Sequence, residues 1–256
     1  MSRLNTTDVE RQNINVRVEL AEDVDRYLRQ LETKYDTKDC LLRHPTMNGP
    51  LRARMVDWMI EVLTNFKCDD LTFFFAVSLM DRYFKGCSGV MQVSDLHIIG
   101  VTSMFLASKY EDIYPLKMKT VFEKIGHSKL DINVIKKLEL DIMKIIDYKI
   151  HVPTVLDFLK VYLVEVLGIK IQSRTETRRK EESILKYNGI ELDNKYENAS
   201  DALPPLACND KIVEDYLIEK MAIYLAKMSM HDLSLSSRKP SLLAVGSIYV
   251  ALKICE

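Results

Sequence analysis

Apolar residues recur at three- and four-residue steps along most of the 256-residue chain, which is the period of a helix buried on one face. Leu20, Val24, Tyr27, Leu28 and Leu31 form one such stripe and predict a helix over 19–35. Leu51, Met55, Trp58 and Val62 share a face behind Pro50, which suits a first helical turn. Residues 70–84 are almost wholly apolar through TFFFAVSLM and long enough for a buried helix. Another long helix is expected over 95–112, with Ser94 as its cap and Pro115 ending it. A shorter one covers 118–125 and stops at Gly126. Ile135, Leu138, Ile142 and Ile145 mark another over 131–146. Short links between these segments predict a compact bundle. After Pro153 a second group follows, at 154–167, 214–228 and 240–254. The reading is all-α, with a polar tail at 1–17, one helical lobe at 18–150 and a partial second lobe at 151–256. Residues 169–209 interrupt that second lobe with mixed charges, Gly189 and Pro204-Pro205, and are expected to be a surface insertion.

Composition narrows the function. Lys and Arg total 36 against 37 Asp and Glu, so the net charge is −1 and affinity built mainly on phosphate contacts is not expected. Gly is scarce at 8, as befits helices rather than Gly-rich turns. The five cysteines are widely spaced with no CxxC, which opposes a disulfide framework or a zinc site and fits a reducing compartment. No P-loop, dinucleotide fingerprint, HExxH, GxSxG or HRD set occurs. The histidines are scattered without ligand spacing. Neither an enzyme nor a resident metal or cofactor is expected. The longest run without Asp, Glu, Lys or Arg in the first half, LHIIGVTSMFLAS, is too short to span a bilayer.

The informative feature is charge inside apolar helices: Arg52, Asp81, Lys109 and Glu139. A desolvated ion costs several kcal/mol unless it is paired. Each could pair within the bundle, Glu139 with Lys136 or Lys137 on its own helix. Lys109 and Glu139 could instead hold part of a partner. Physics alone leaves both readings open.

The strings LRARMVDWMIEV, AVSLMDRYF, LASKYEDIYP, KKLELDIMKIIDYKI and HVPTVLDFL resemble the cyclin box, most of all that of mitotic A/B-type cyclins. The resemblance runs from Val18 to Gly168 and resumes weakly after Val213. It implies a cyclin-like fold of two helical-bundle lobes, the second apparently truncated. It also implies a non-catalytic regulatory subunit that activates a cyclin-dependent Ser/Thr kinase in cell-cycle control, in nucleus and cytoplasm, by positioning the kinase's PSTAIRE-type helix. Lys109 and Glu139 would bind that partner's backbone. Leu106, Tyr110, Met143, Tyr148, Ile150, Val24 and Tyr27 would supply apolar anchors. Arg52 and Asp81 would form a structural ion pair.

A second site implied by the resemblance is a docking patch for RxL-type substrates or inhibitors, at Leu51, Arg54, Met55, Trp58, Glu61 and His97. Arg54 stands where an aliphatic residue is usual, and His97 where an amide is usual. An uncovered surface at Ile248, Val250 and Leu252 is expected in the truncated lobe. The alternative function is a cyclin-like transcription-associated scaffold, or a general transcription factor that grips DNA and polymerase. Its basic surfaces and zinc ribbon find no support in the charge or the cysteines.

Overall fold

A computed structural model describes residues 22–169, 184 and 210–256. The expected tail at 1–17 and nearly all of the insertion at 169–209 lie outside the described residues. Within them the chain is helical and contains no strand. Helix α1 is described over 22–34. Then come α2 (Gly49–Asn65), α3 (Asp70–Gly86) and α4 (Asp95–Glu111). Element α5 is a short helix, Met118–Thr120, that continues as a π-turn over Val121–Ile125. Helix α6 spans Ile132–Ile145 and α7 Val155–Leu167. The remainder is α8 (Asp210–Ser229), α9 (Leu233–Ser236) and α10 (Pro240–Cys255).

The helix starts follow local chemistry. Asn48, Asp69 and Asp131 each accept a backbone N–H of the first turn of α2, α3 and α6. Thr154 and Asp157 form a reciprocal capping box on α7, which ends at Gly168 with φ +70°. Ser94 does not cap α4, contrary to the sequence reading. Its own backbone is already helical, and its hydroxyl turns to Asp95, whose carboxylate accepts Gln92 N–H.

Helix α3 is the axis of the first lobe, buried at nearly every position from Leu71 to Phe84. Helices α2, α4, α6 and α7 all touch it. The buried side chains of both lobes join in one apolar cluster. Polar groups cross the same junction. The buried Arg52 grips both carboxylate oxygens of Asp81, at 2.7 and 2.6 Å, and donates onward to the carbonyl of Met230 at 2.8 Å. The ion pair of the first lobe thus also fixes the turn between α8 and α9. Burial lowers and Asp81 raises the affinity of Arg52 for its proton, and the net shift is upward.

Helix α10 corrects one expectation. Ile248 is buried against the core, and Val250 is only one part of the exposed surface. The open face runs instead along Leu242, Val245, Tyr249 and Ile254. The helix buries small residues, Ala244, Ser247 and Ala251, so close packing turns its large side chains outward. No helix among the described residues is long and apolar enough to cross a membrane.

Candidate partner interface

Lys109 closes the last turn of α4, and Glu139 lies midway along α6. The two helices pack together. Their side chains form an ion pair at the surface, with Lys109 37% and Glu139 20% exposed. Lys109 Nζ also sits 4.3 Å from the centre of the Phe105 ring, which orients the ammonium. Glu139 therefore pairs across the bundle rather than with Lys136 or Lys137. An ammonium beside a carboxylate offers donors and an acceptor together, the complement of a polypeptide main chain.

The apolar anchors expected at this surface differ in exposure. Tyr110 is half-exposed, with its ring edge against the buried Phe75 at 5.5 Å. Phe75 also packs edge-on to His151 at 5.5 Å. Tyr148 is exposed on the turn after α6, where Asp147 and Tyr148 both adopt φ +55°. Met143 and Ile150 are partly buried at its base. Leu106 departs from expectation: at 4% exposed it belongs to the core, because the middle of α4 is enclosed by α2, α3 and α6.

Val24 and Tyr27 are exposed on α1 because the opposite face of that helix is tied down. Arg29 binds Asp25 and the hydroxyl of Tyr162 on α7, each at 2.7 Å. Burial and the Asp25 charge push the Tyr162 phenol up to about 12. One turn on, the buried Glu32 accepts the backbone N–H and the hydroxyl of Ser241, at 3.0 and 2.9 Å, at the start of α10. The second lobe thereby sets the attitude of α1.

Three contributors escaped the sequence reading. Ile113 and Tyr114 are the most exposed large apolar residues described. They project from a loop pinned at Asp112, which accepts Asp69 N–H and the Thr72 hydroxyl, and at Leu116, whose N–H donates to Ser108 Oγ. Their place three and four residues after Tyr110 was the available signal. Arg82 is the third. It donates to the carbonyl of Lys149 at 2.7 Å, with Ile150 O at 3.4 Å and Ile146 O at 3.5 Å, and so shapes the turn carrying Tyr148. Burial lowers its pKa, partly offset by Tyr35, whose ring lies 5.2 Å away.

The docking-patch residues meet where α2 crosses α4. Trp58 and His97 meet with ring centres 5.0 Å apart and planes tilted by 49°, both half-buried. Arg54 and Glu61 are exposed and Leu51 is half-buried. Met55, expected on the patch, is buried beneath it, because Gly100 on α4 has no side chain and lets the thioether enter. Burial, and secondarily His127, lowers the His97 pKa, so a neutral imidazole faces the indole. Among the described residues no cluster of His, Cys, Asp and Glu is placed to hold a metal ion.

Comparison with known proteins adds the following. The family model described as "Cyclin, N-terminal domain" matches residues 23–151. Cyclin-A1 of Carassius auratus is 33% identical over 148 residues, 57% of this chain and 37% of that protein. G2/mitotic-specific cyclin-B1 of Oryzias luzonensis is 30% identical over 142 residues, 56% of this chain and 35% of that one. Cyclin-A2 of Gallus gallus is 29% identical over 181 residues, 70% of this chain and 43% of its own length. The chain therefore spans less than half the length of these relatives. Among solved structures, a viral cyclin from herpesvirus saimiri superposes with a TM-score of 0.61 at 14% identity, covering 90% of this chain and 81% of that one. That likeness concerns the fold.

Proposed function

The chain belongs to the cyclin family, and from that premise we propose that it is a non-catalytic regulatory subunit that binds and activates a cyclin-dependent Ser/Thr protein kinase in cell-cycle control. The observation that carries this reading is the surface pair Lys109–Glu139, with the exposed Tyr110 next to Lys109 at the end of α4. In the free protein each charge neutralises the other. A half-exposed pair of this kind contributes only ~0–1 kcal/mol. Both heads can therefore be redirected cheaply to a partner's backbone, the ammonium to a carbonyl and the carboxylate to an N–H.

Tyr110, Met143, Tyr148 and Ile150, with Val24 and Tyr27 from α1, are the proposed anchors around that centre. Tyr114 and Ile113 extend the same set. Such a surface suits a partner helix carrying apolar side chains. Binding would favour the kinase conformation that presents this helix in full, which is activation by population shift. Nucleus and cytoplasm are the compartments in which this partner is proposed to be met.

The RxL-type docking role has weaker support. Trp58 and Glu61 suit a basic peptide with an apolar anchor, whereas the Arg54 guanidinium repels its charge and buried Met55 narrows the floor. The test of the main proposal is direct. Purified protein is mixed with cyclin-dependent kinases, and phosphorylation of a histone-type substrate is measured. Stimulation of at least one kinase is the expected result. A folded protein that stimulates none of them would end the proposal.

A further inference from the structure

Helix α10 has the sequence of a core helix in a surface position. No Asp, Glu, Lys or Arg occurs between Pro240 and Lys253. Helix α4 carries a similar uncharged run and is buried at every position from Ile99 to Ser108. Helix α10 instead leaves Leu242, Val245, Tyr249, Val250 and Ile254 between 41% and 62% exposed. A helix that is apolar all round is ordinarily covered all round. At roughly 100 Å² for each half-exposed side chain, this face offers about 500 Å², the upper end of what a soluble monomer leaves open. Two such faces together bury about 1,000 Å², the area a specific interface needs.

The face also has a shape that complements itself. Gly246 is exposed within it, and no atom lies within 4 Å of the point where a side chain would begin. Leu242, Tyr249 and Val250, four, three and four residues away, border this notch on the helix surface. A ring stands on one side of the centre and a gap on the other. The face carries no charge before Lys253, so it has nothing with which to select a charged partner.

We propose that α10 is a dimer interface, pairing antiparallel with α10 of a second copy of this chain about a two-fold axis between Gly246 and Tyr249. In that register each Tyr249 ring enters the notch at Gly246 of the second copy. Val245 meets Val250, and Leu242 meets the aliphatic stem of Lys253. The charges are compatible with it. The two Lys253 side chains start about 16 Å apart along the axis, so like charges do not meet. Lys239 at the start of one helix comes beside Glu256 and the last carbonyls of the other, an end that favours a cation. Helix α10 packs on α7 and α8, whereas Lys109 and Glu139 stand on α4 and α6, so this inference does not rest on the kinase proposal.

The test uses the full chain in sedimentation velocity across a concentration series. The expected result is a rise from the mass of one chain to twice that mass, with no further growth, because a two-fold face is used up in the dimer. Tyr249→Ser should weaken self-association at least about tenfold by removing the ring. Gly246→Gln should do the same by filling the notch. Its melting temperature at dilution, where the chains are single, should be equal or higher, since glutamine forms helix better than glycine and the position opens onto free space. The two variants act on opposite sides of one contact, so a folding defect in either leaves the other as the test. A parent chain that keeps the mass of one chain throughout overturns the proposal. So does growth past two chains, or a dimer that the folded variants form as tightly as the parent.

Discussion

Four charges inside apolar helices resolve into two pairs with opposite environments. Arg52 and Asp81 are almost wholly buried, whereas Lys109 and Glu139 sit at the surface. Removing one partner of the buried pair strands a desolvated ion, so Arg52→Ala should destabilise the fold by ~3–5 kcal/mol in urea unfolding. Lys109→Ala with Glu139→Ala should shift the melting temperature by no more than a few degrees. Trp58 is the sole tryptophan, so intrinsic indole emission reports on its contact with His97. Burial sets the folded pKa of His97 below its ordinary value. Between the two values the unfolded chain binds more protons, so this histidine removes stability as pH falls below ~6.5. A pH titration of Trp58 emission should give a midpoint below that of a free imidazole, and His97→Asn should abolish the transition. A midpoint at or above the free value would contradict the half-buried Trp58–His97 contact.

At the scale of elements, the pattern of apolar positions located the helices well but not always their faces. The stripe Val24, Tyr27, Leu31 on α1 reads as core by period alone. Yet Val24 and Tyr27 are exposed, because Asp25, Arg29 and Glu32 on another face bind α7 and α10. Those partners lie more than a hundred residues away, beyond the reach of local periodicity. Helix α4 shows the reverse limit: it is apolar on all sides, so nothing in its pattern separates buried Leu106 from half-exposed Tyr110. The π-turn at Val121–Ile125 left no composition signal. The cap expected at Ser94 was misleading, because its backbone is already helical, and the capping box at Thr154 was not anticipated. Thr154→Ala should cost ~1 kcal/mol of stability by removing the α7 capping box. Glu32→Ala should loosen α1 and raise amide exchange in both α1 and the first turn of α10, whereas exchange faster in only one of them would contradict the link between the lobes.

For the whole molecule, the two lobes share one apolar cluster and are clamped by Arg52, Glu32 and Tyr162 across their junction. Unfolding should therefore be a single transition, with Trp58 emission from the first lobe and far-ultraviolet dichroism from all helices coinciding in urea. Two separated transitions would show the lobes to be independent. The joined lobes also set the attitude of α1, which is held by the second lobe through Tyr162 and Ser241. The proposed function asks this surface to recognise another chain with its central charges. The most direct measurement is titration calorimetry of the protein against a cyclin-dependent kinase, beside Lys109→Ala with Glu139→Ala. The account predicts one-to-one binding by the parent chain and at least a ~tenfold loss in the variant, from two missing hydrogen bonds to charged groups. Equal affinity for both, with both folded, would contradict it.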